Sequence, residues 1–180
     1  MSEARWTIAF EPVVAEHYPL LARWLRTAPW LEWWGDPDVE LGHIREMVEG
    51  RDSSRPFIFR VDGEPLGYIQ YWFIGHHQTE DWVRNHPWLG ELPPETIGVD
   101  LSIGVPDRLA QGVGSAVLRA FVGRLRERGH GEIIIDPDPA NTRAIRAYVK
   151  AGFRVIPALA DKGYDSLIMR HEIEAGSVLA

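Results

Sequence analysis

The sequence predicts a mixed α/β fold, a central sheet with helices on both faces. Two observations carry this. The first half holds an N-terminal strand, two helical segments and a hairpin, and the second half alternates strand and helix twice between Thr96 and Ile156. Alternating β and α units place parallel strands beside one another, whereas a hairpin pairs antiparallel, so the two halves together give a mixed sheet. A third observation sets the scale. With 180 residues, 45% of them apolar, the chain is expected to form a single domain, 1–180, with one sizeable core.

Arg5-Trp6-Thr7-Ile8-Ala9-Phe10 alternates in the manner of a strand. Val14, Tyr18, Leu21, Ala22 and Leu25 recur at helical spacing and predict a helix over 14–26, stopped by Pro29. Residues 30–35 read as a loop. Asp36-Pro37 is a capping residue followed by proline at the first helical position, and it opens a second helix over 37–49. Segments 56–61 and 66–74 are strands, and Asp62-Gly63 between them signals a hairpin turn. Residues 75–95 are polar and proline-rich, a long loop with room for one short helix. Loops of that length inside compact domains tend to be functional. Strand 96–104, helix 112–128, strand 132–136, helix 140–151 and strand 153–156 follow. Val113, Ala116, Val117, Ala120, Phe121 and Leu125 form the apolar face of the long helix. A last strand over 164–173 closes the sheet, and 174–180 reads as a frayed tail.

Bulk composition narrows the function. Lys plus Arg is 19 and Asp plus Glu is 26, a net charge of −7. Such a surface repels phosphate backbones and suits a cationic partner, so nucleic acid is not an expected ligand. No apolar run approaches a membrane span, no signal peptide is visible, and there are no cysteines. The expectation is a cytoplasmic protein without membrane contact, a monomer or homodimer. Eight tryptophans are many for this length. Trp30, Trp33, Trp34, Trp82 and Trp88 lie in polar, proline-rich surroundings and are read as walls of a binding cleft.

The most informative segment runs from Asp100 to Phe153. The apolar run 99–103 enters a turn, Arg108-Leu109-Ala110-Gln111-Gly112-Val113-Gly114-Ser115, that opens directly into a helix. Unpaired amides and the helix dipole make such a turn a pyrophosphate site, and glycine permits both close approach and the turn dihedrals. Downstream stand Ile133-Ile134-Ile135-Asp136-Pro137-Asp138 and "NTRAIRAYVKAGF". Turn and downstream motif together resemble the acetyl-coenzyme A-binding core, about 96–153, of the GNAT superfamily of N-acetyltransferases. The family's Gln or Arg three residues before the first glycine is replaced by Leu109, a small departure because main-chain amides do most of the phosphate binding. "LEWWGD", "GEPLGYIQ", "GVDLSIG" and "DPDPANTRAIRAYVKAGF" narrow the resemblance to the aminoglycoside 6′-N-acetyltransferases.

The resemblance implies a GNAT acyl-CoA N-acyltransferase fold and acetyl-CoA as co-substrate, with no metal. It implies acetyl transfer to a primary amine of a cationic small molecule, most directly the 6′-amine of an aminoglycoside, and hence antibiotic resistance. Asp100, mid-strand in an apolar run, would hold the substrate ammonium and take its proton. Tyr148 would protonate the departing thiolate. Ser102, Ile103, Gln111, Gly112, Val113, Gly114, Ser115 and Asn141 would bind the cofactor. Trp34, Gln70, Tyr71, Asp81, Trp82 and Asp136 would meet the substrate, and because strand side chains alternate only one of Gln70 and Tyr71 can face the cleft. Two alternatives carry the same motifs: a lysine-type N-acyltransferase of siderophore synthesis and a non-catalytic acyl-CoA sensor. His76-His77 does not read as a metal site, since adjacent histidines on an extended loop point apart.

Overall fold

A computed structural model describes residues 6–163 and 165–173. Arg5, Tyr164 and the 174–180 tail of the sequence reading lie outside them. The seven strands are β1 (Ile8–Pro12), β2 (Arg55–Val61), β3 (Glu64–Phe73), β4 (Ile97–Ile103), β5 (Ile133–Ile135), β6 (Phe153–Val155) and β7 (Met169–His171). They form one mixed sheet in the order β1-β2-β3-β4-β5-β7-β6. β1–β2 and β2–β3 pair antiparallel, β4–β5 parallel, and β7 lies antiparallel to both β5 and β6. The last strand therefore inserts between β5 and β6 rather than adding an edge, and it is three residues long where the sequence suggested ten.

The chain sorts into two compact units, Met1–Tyr71 with Asp100–Val117, and Trp72–Val99 with Leu118–Ala180. In the first, the helices are α1 (Tyr18–Trp24), α2 (Ala28–Trp33), α3 (Pro37–Val48) and the first turn of α5 (Val113–Glu127). The helix expected over 14–26 is shorter. Val14 has an extended backbone, a 3-10 turn covers Ala15–His17, and α1 begins at Tyr18 with Pro19 in its first turn. Residues 30–33, expected as loop, lie in a helix that runs from Ala28 to Trp33. Pro29 lies in the first turn of α2, where its missing N–H costs nothing, so it starts a helix instead of only ending one. α3 begins as expected, with Asp36 Oδ1 accepting from the amides of Asp38 and Val39. Val13, Leu21, Trp24, Leu25, Trp30, Leu41, Ile44, Ile58 and Tyr68 form this unit's core.

The β2–β3 hairpin turns at Asp62 and Gly63, both with positive φ (51° and 86°), as the Asp-Gly signal predicts. Its register opposes Ile58 to Tyr68 and Phe57 to Ile69. Tyr68 and Gln70 thus share one face of β3, and Ile69 and Tyr71 the other. A Cβ on Gly67 would sit 2.3 Å from the Ser102 carbonyl oxygen and 2.4 Å from the Phe59 ring, so this glycine is required by close approach.

In the second unit, α4 (Glu80–Asn85) lies between two 3-10 turns, Ile74–His77 and Pro87–Glu91, so most of the expected loop is short helix. Ile74, Trp88, Leu89, Leu92, Ile134, Leu159 and Ile168 form a core. The rest of α5 and α6 (Thr142–Lys150) belong here. Along α5 the buried apolar residues are Val113, Val117, Leu118, Phe121, Val122 and Leu125; Ala120, assigned to the apolar face from its spacing, is exposed. Among the described residues no helix is long and apolar enough to cross a membrane.

Candidate active site

Asp100 lies in the middle of β4, half-buried. Its Oδ2 accepts a hydrogen bond from Gln70 Nε2 at 2.8 Å. Gln70 Oε1 in turn accepts from the Tyr68 hydroxyl at 2.5 Å. This settles the orientation of the hairpin pair. Gln70 points toward Asp100, and Tyr71 lies on the opposite face with its ring stacked on Phe57, centroids 6.2 Å apart. Tyr71 is therefore removed from the Asp100 side of the strand, a correction imposed by alternation.

Trp34 stands edge-on to Tyr68 at 5.9 Å and against Trp30 at 4.8 Å. Trp34 is half-buried, as a cleft wall should be, but Trp30 is fully buried. Trp88 is 3% exposed in the core of the second unit. Those two of the five tryptophans are core residues, contrary to expectation, because the short helices that carry them have one face turned inward.

Glu40, missed in the sequence, belongs to this neighbourhood. It projects from α3 with its side chain 22% exposed and its Oε1 3.6 Å from His43 Nδ1. Its carboxyl is pushed above the usual range, first by burial and further by the negative charge of Asp100; His43 pulls the other way. The available signal was its spacing, four and seven residues before Ile44 and Met47 on the helix face that turns inward. The Tyr68 phenol is pushed well above its ordinary value by burial, then by the charges of Asp100, Glu40 and Asp52.

On β4, Leu101 and Ile103 face the start of α5. A Cβ built on Gly114 would meet only their Cδ atoms, at 3.8 Å, an ordinary contact. Gly112 has φ +82° and Ala110 has φ +59°, so the turn is held in left-handed backbone immediately before the helix begins at Val113. Glycine at 112 answers a dihedral requirement. At 114 no neighbour in the protein demands it. The turn fits a pyrophosphate. Ser115 is buried with its hydroxyl donating to the Gly112 carbonyl at 3.0 Å, and the Gln111 amide bonds the Asp107 carbonyl at 2.6 Å, so both brace the turn. Ser102 is buried at the end of β4 beside the half-buried Ile103.

In the second unit, Asn141 is the N-cap of α6, its Oδ1 accepting from the Ala144 amide at 3.1 Å. Tyr148 is 8% exposed on the same helix, its ring 6.5 Å from that of Phe153. Asp136 follows β5, half-buried. Asp81 and Glu80 are exposed and both bound by Arg84, at 3.0 and 2.9 Å, so the loop's carboxylates already have a cation. Trp82 is 49% exposed, stacked on His86 and edge-on to His77. The His77 ring also meets Trp72, and the two histidines sit in a 3-10 turn rather than an extended loop.

A shared family accounts for the glycine turn and the mid-strand acid together. The family model described as "Acetyltransferase (GNAT) domain" matches residues 13–160. The chain belongs to the GNAT acetyltransferase family. An aminoglycoside N(6′)-acetyltransferase type 1 of Klebsiella pneumoniae is 32% identical over 149 residues, 78% of this chain and 71% of that protein. Among solved structures, AAC(6′)-Ib with paromomycin and acetyl-CoA superposes with a TM-score of 0.75 at 28% identity, covering 92% of this chain and 93% of the other. The same enzyme with coenzyme A and kanamycin gives 0.74 at 28% identity, covering 92% and 94%. The GNAT match spans residues of both units, and the fold and family expected from the motifs hold.

Proposed function

We propose that this chain is an acetyl-CoA-dependent N-acetyltransferase acting on the 6′-amine of an aminoglycoside. The observation that carries the reading is the likeness to aminoglycoside 6′-N-acetyltransferases along most of the chain, in sequence and in fold. The acidic net charge of −7 and the paired field of Glu40 and Asp100 suit a polycationic acceptor.

Acetyl-CoA supplies the acetyl group as a thioester, whose C–S bond breaks as the C–N bond to the amine forms. The amides of 111–115 and the α5 dipole hold the pyrophosphate. Asp100 holds the incoming ammonium and takes one of its protons, freeing the nitrogen lone pair for attack. Tyr148 gives its phenolic proton to the departing sulfur. Trp34 offers an indole face to the apolar side of a sugar ring, and in the second unit Trp82 offers an indole and Asp136 a carboxylate of the kinds such a substrate needs. The reaction needs no metal, and acetyl-CoA supply places it in the cytoplasm.

The test is thiol release from acetyl-CoA in the presence of kanamycin, ribostamycin, lysine and a hydroxamate-precursor amine, with NMR assignment of the acetylated nitrogen. Turnover confined to aminoglycosides, with acetate on N6′, is the expected outcome. Preferential turnover of the lysine-type amine would transfer the chain to siderophore acylation. Binding of acetyl-CoA without release on any amine would make it a sensor.

A further inference from the structure

The contacts behind Asp100 form a chain with a direction. An ionised carboxylate only accepts hydrogen bonds, so the group of Gln70 that faces Asp100 Oδ2 must be its NH₂. The amide oxygen then faces away, toward Tyr68, and only a hydroxyl proton can serve it there. Tyr68 has one such proton. Gln70 Oε1 at 2.5 Å takes it, with Met47 Sδ at 3.6 Å a distant and weaker acceptor. Reversing the amide would set oxygen against carboxylate and leave the hydroxyl proton only the weaker Met47 Sδ acceptor, so the two bonds support each other.

Water does not replace either bond. Tyr68 is fully buried and Gln70 is 9% exposed. The Tyr68 ring packs against the Trp30–Trp34 pair, at 5.9 Å from each, and lies opposite Ile58 in the hairpin register. Gln70 sits two residues along the same face. A rigid, buried donor therefore backs a buried amide, which backs the one carboxylate in the middle of β4.

We propose that Tyr68 and Gln70 are positioning residues for Asp100, the buried hydroxyl locking the Gln70 amide so that its NH₂ holds the carboxylate in the orientation that receives the substrate proton. This rests on reading Asp100 as the proton acceptor. It departs from the sequence expectation that Gln70 meets the substrate, since both ends of its amide are engaged inside the protein. The donor also stays a donor. Burial and the charges of Asp100, Glu40 and Asp52 hold the phenol protonated far above neutral pH, so the chain keeps its direction throughout the working range.

The experiment is a pair of double-mutant cycles read in kcat with saturating acetyl-CoA, at a temperature below the melting transition of every variant. Tyr68→Phe keeps the ring against the two indoles and removes only the hydroxyl. In the wild-type background it lowers kcat about 2- to 10-fold, the range of one net hydrogen bond, and leaves the acetyl-CoA Kd unchanged. In a Gln70→Leu background the same substitution changes kcat by less than a factor of about two, because the relay is already cut. In an Asp100→Glu background, whose longer side chain shifts the carboxylate off the amide, it likewise changes nothing further. Equal fold-losses in all three backgrounds would make Tyr68 a packing residue and overturn the proposal. If Tyr68→Phe does not fold, the cycle of Gln70→Leu with Asp100→Glu decides in its place: coupled losses support the relay and independent ones overturn it. A wild-type enzyme without turnover, or an Asp100→Asn variant with full activity, would instead sink the reading of Asp100. Normal turnover with a crippled Asp100→Asn and uncoupled cycles would sink only the relay.

Discussion

At the scale of single residues, the proposed proton acceptor is a carboxylate in an apolar strand. Asp100→Asn is nearly isosteric, and Gln70 Nε2 can still donate to the new side-chain oxygen, so the fold should survive. It cannot accept the ammonium proton. We expect kcat/KM for the amine to fall ~10²–10⁴-fold, the usual contribution of a general base, while acetyl-CoA affinity measured by calorimetry stays at the wild-type value. The deficit should shrink as rising pH deprotonates the amine in solution, and a ratio of variant to wild type that is flat with pH would reassign Asp100 to binding. If Tyr148 is the proposed acid, Tyr148→Phe should lower kcat while leaving coenzyme A affinity unchanged, because that role calls on its hydroxyl only as the thiolate departs. Glu40 adds a stability prediction. Its carboxyl is raised by burial and by Asp100, so folding disfavours its charged form. That penalty is absent below the unfolded carboxylate value and present above the folded one. Glu40→Gln should therefore raise the melting temperature at neutral pH and lose that gain in acid, below the usual carboxylate range. Equal effects at both pH values would mean that the charge of Glu40 is not the cause.

At the scale of elements, the hairpin and the glycine turn do different work. Gly67 lets β3 pass within reach of the Ser102 carbonyl, and Gly67→Ala forces a methyl to 2.3 Å from that backbone oxygen. The strands cannot both keep their places. We expect a loss of several kcal/mol, toward the large end of single substitutions, read as a fall in chemical-denaturation midpoint. In the glycine turn the two glycines should separate experimentally. Gly112→Val strains a backbone at φ +82° and should lower both stability and acetyl-CoA affinity. A Cβ at 114 meets only ordinary contacts in the protein, so Gly114→Val should weaken acetyl-CoA binding more than it lowers the melting temperature. Unchanged acetyl-CoA affinity in Gly114→Val would remove the pyrophosphate from this turn.

At the scale of the whole molecule, ligand and fold are linked by mass action. A ligand that binds only the folded chain stabilises it by about 2.7 kcal/mol at one hundred times its Kd. Saturating acetyl-CoA should raise the melting temperature, and an aminoglycoside should raise it further. The second rise should weaken with salt, because an acceptor held by Asp100, Glu40 and the wider negative charge is held electrostatically. A rise independent of ionic strength would argue for a neutral acceptor and against the polycation.

The sequence by itself determined the class of fold, the family, the order of the strands from β1 to β6, the Asp36 cap, the Asp-Gly hairpin and the place of the glycine turn. Each of these is local: it rests on periodicity, on the φ preference of a few residues, or on a contiguous motif. The tertiary structure decided what depends on neighbours distant in the chain. Tyr68, Gln70 and Asp100 are brought together by strand alternation and by the meeting of two strands thirty residues apart in sequence, from 70 to 100. Glu40 gains its raised carboxyl from the burial that the packing of α3 imposes, with the charge of Asp100 adding to it. Trp30 and Trp88, polar in their sequence surroundings, are buried because short helices fold one side inward, and Pro29 starts a helix because a side chain cannot announce which of its two roles at a helix boundary it will serve. β7 was placed in sequence at the end of the chain, yet it lies between β5 and β6, since the edge that a strand joins is set by which backbone groups are left unpaired in space and not by its position along the chain.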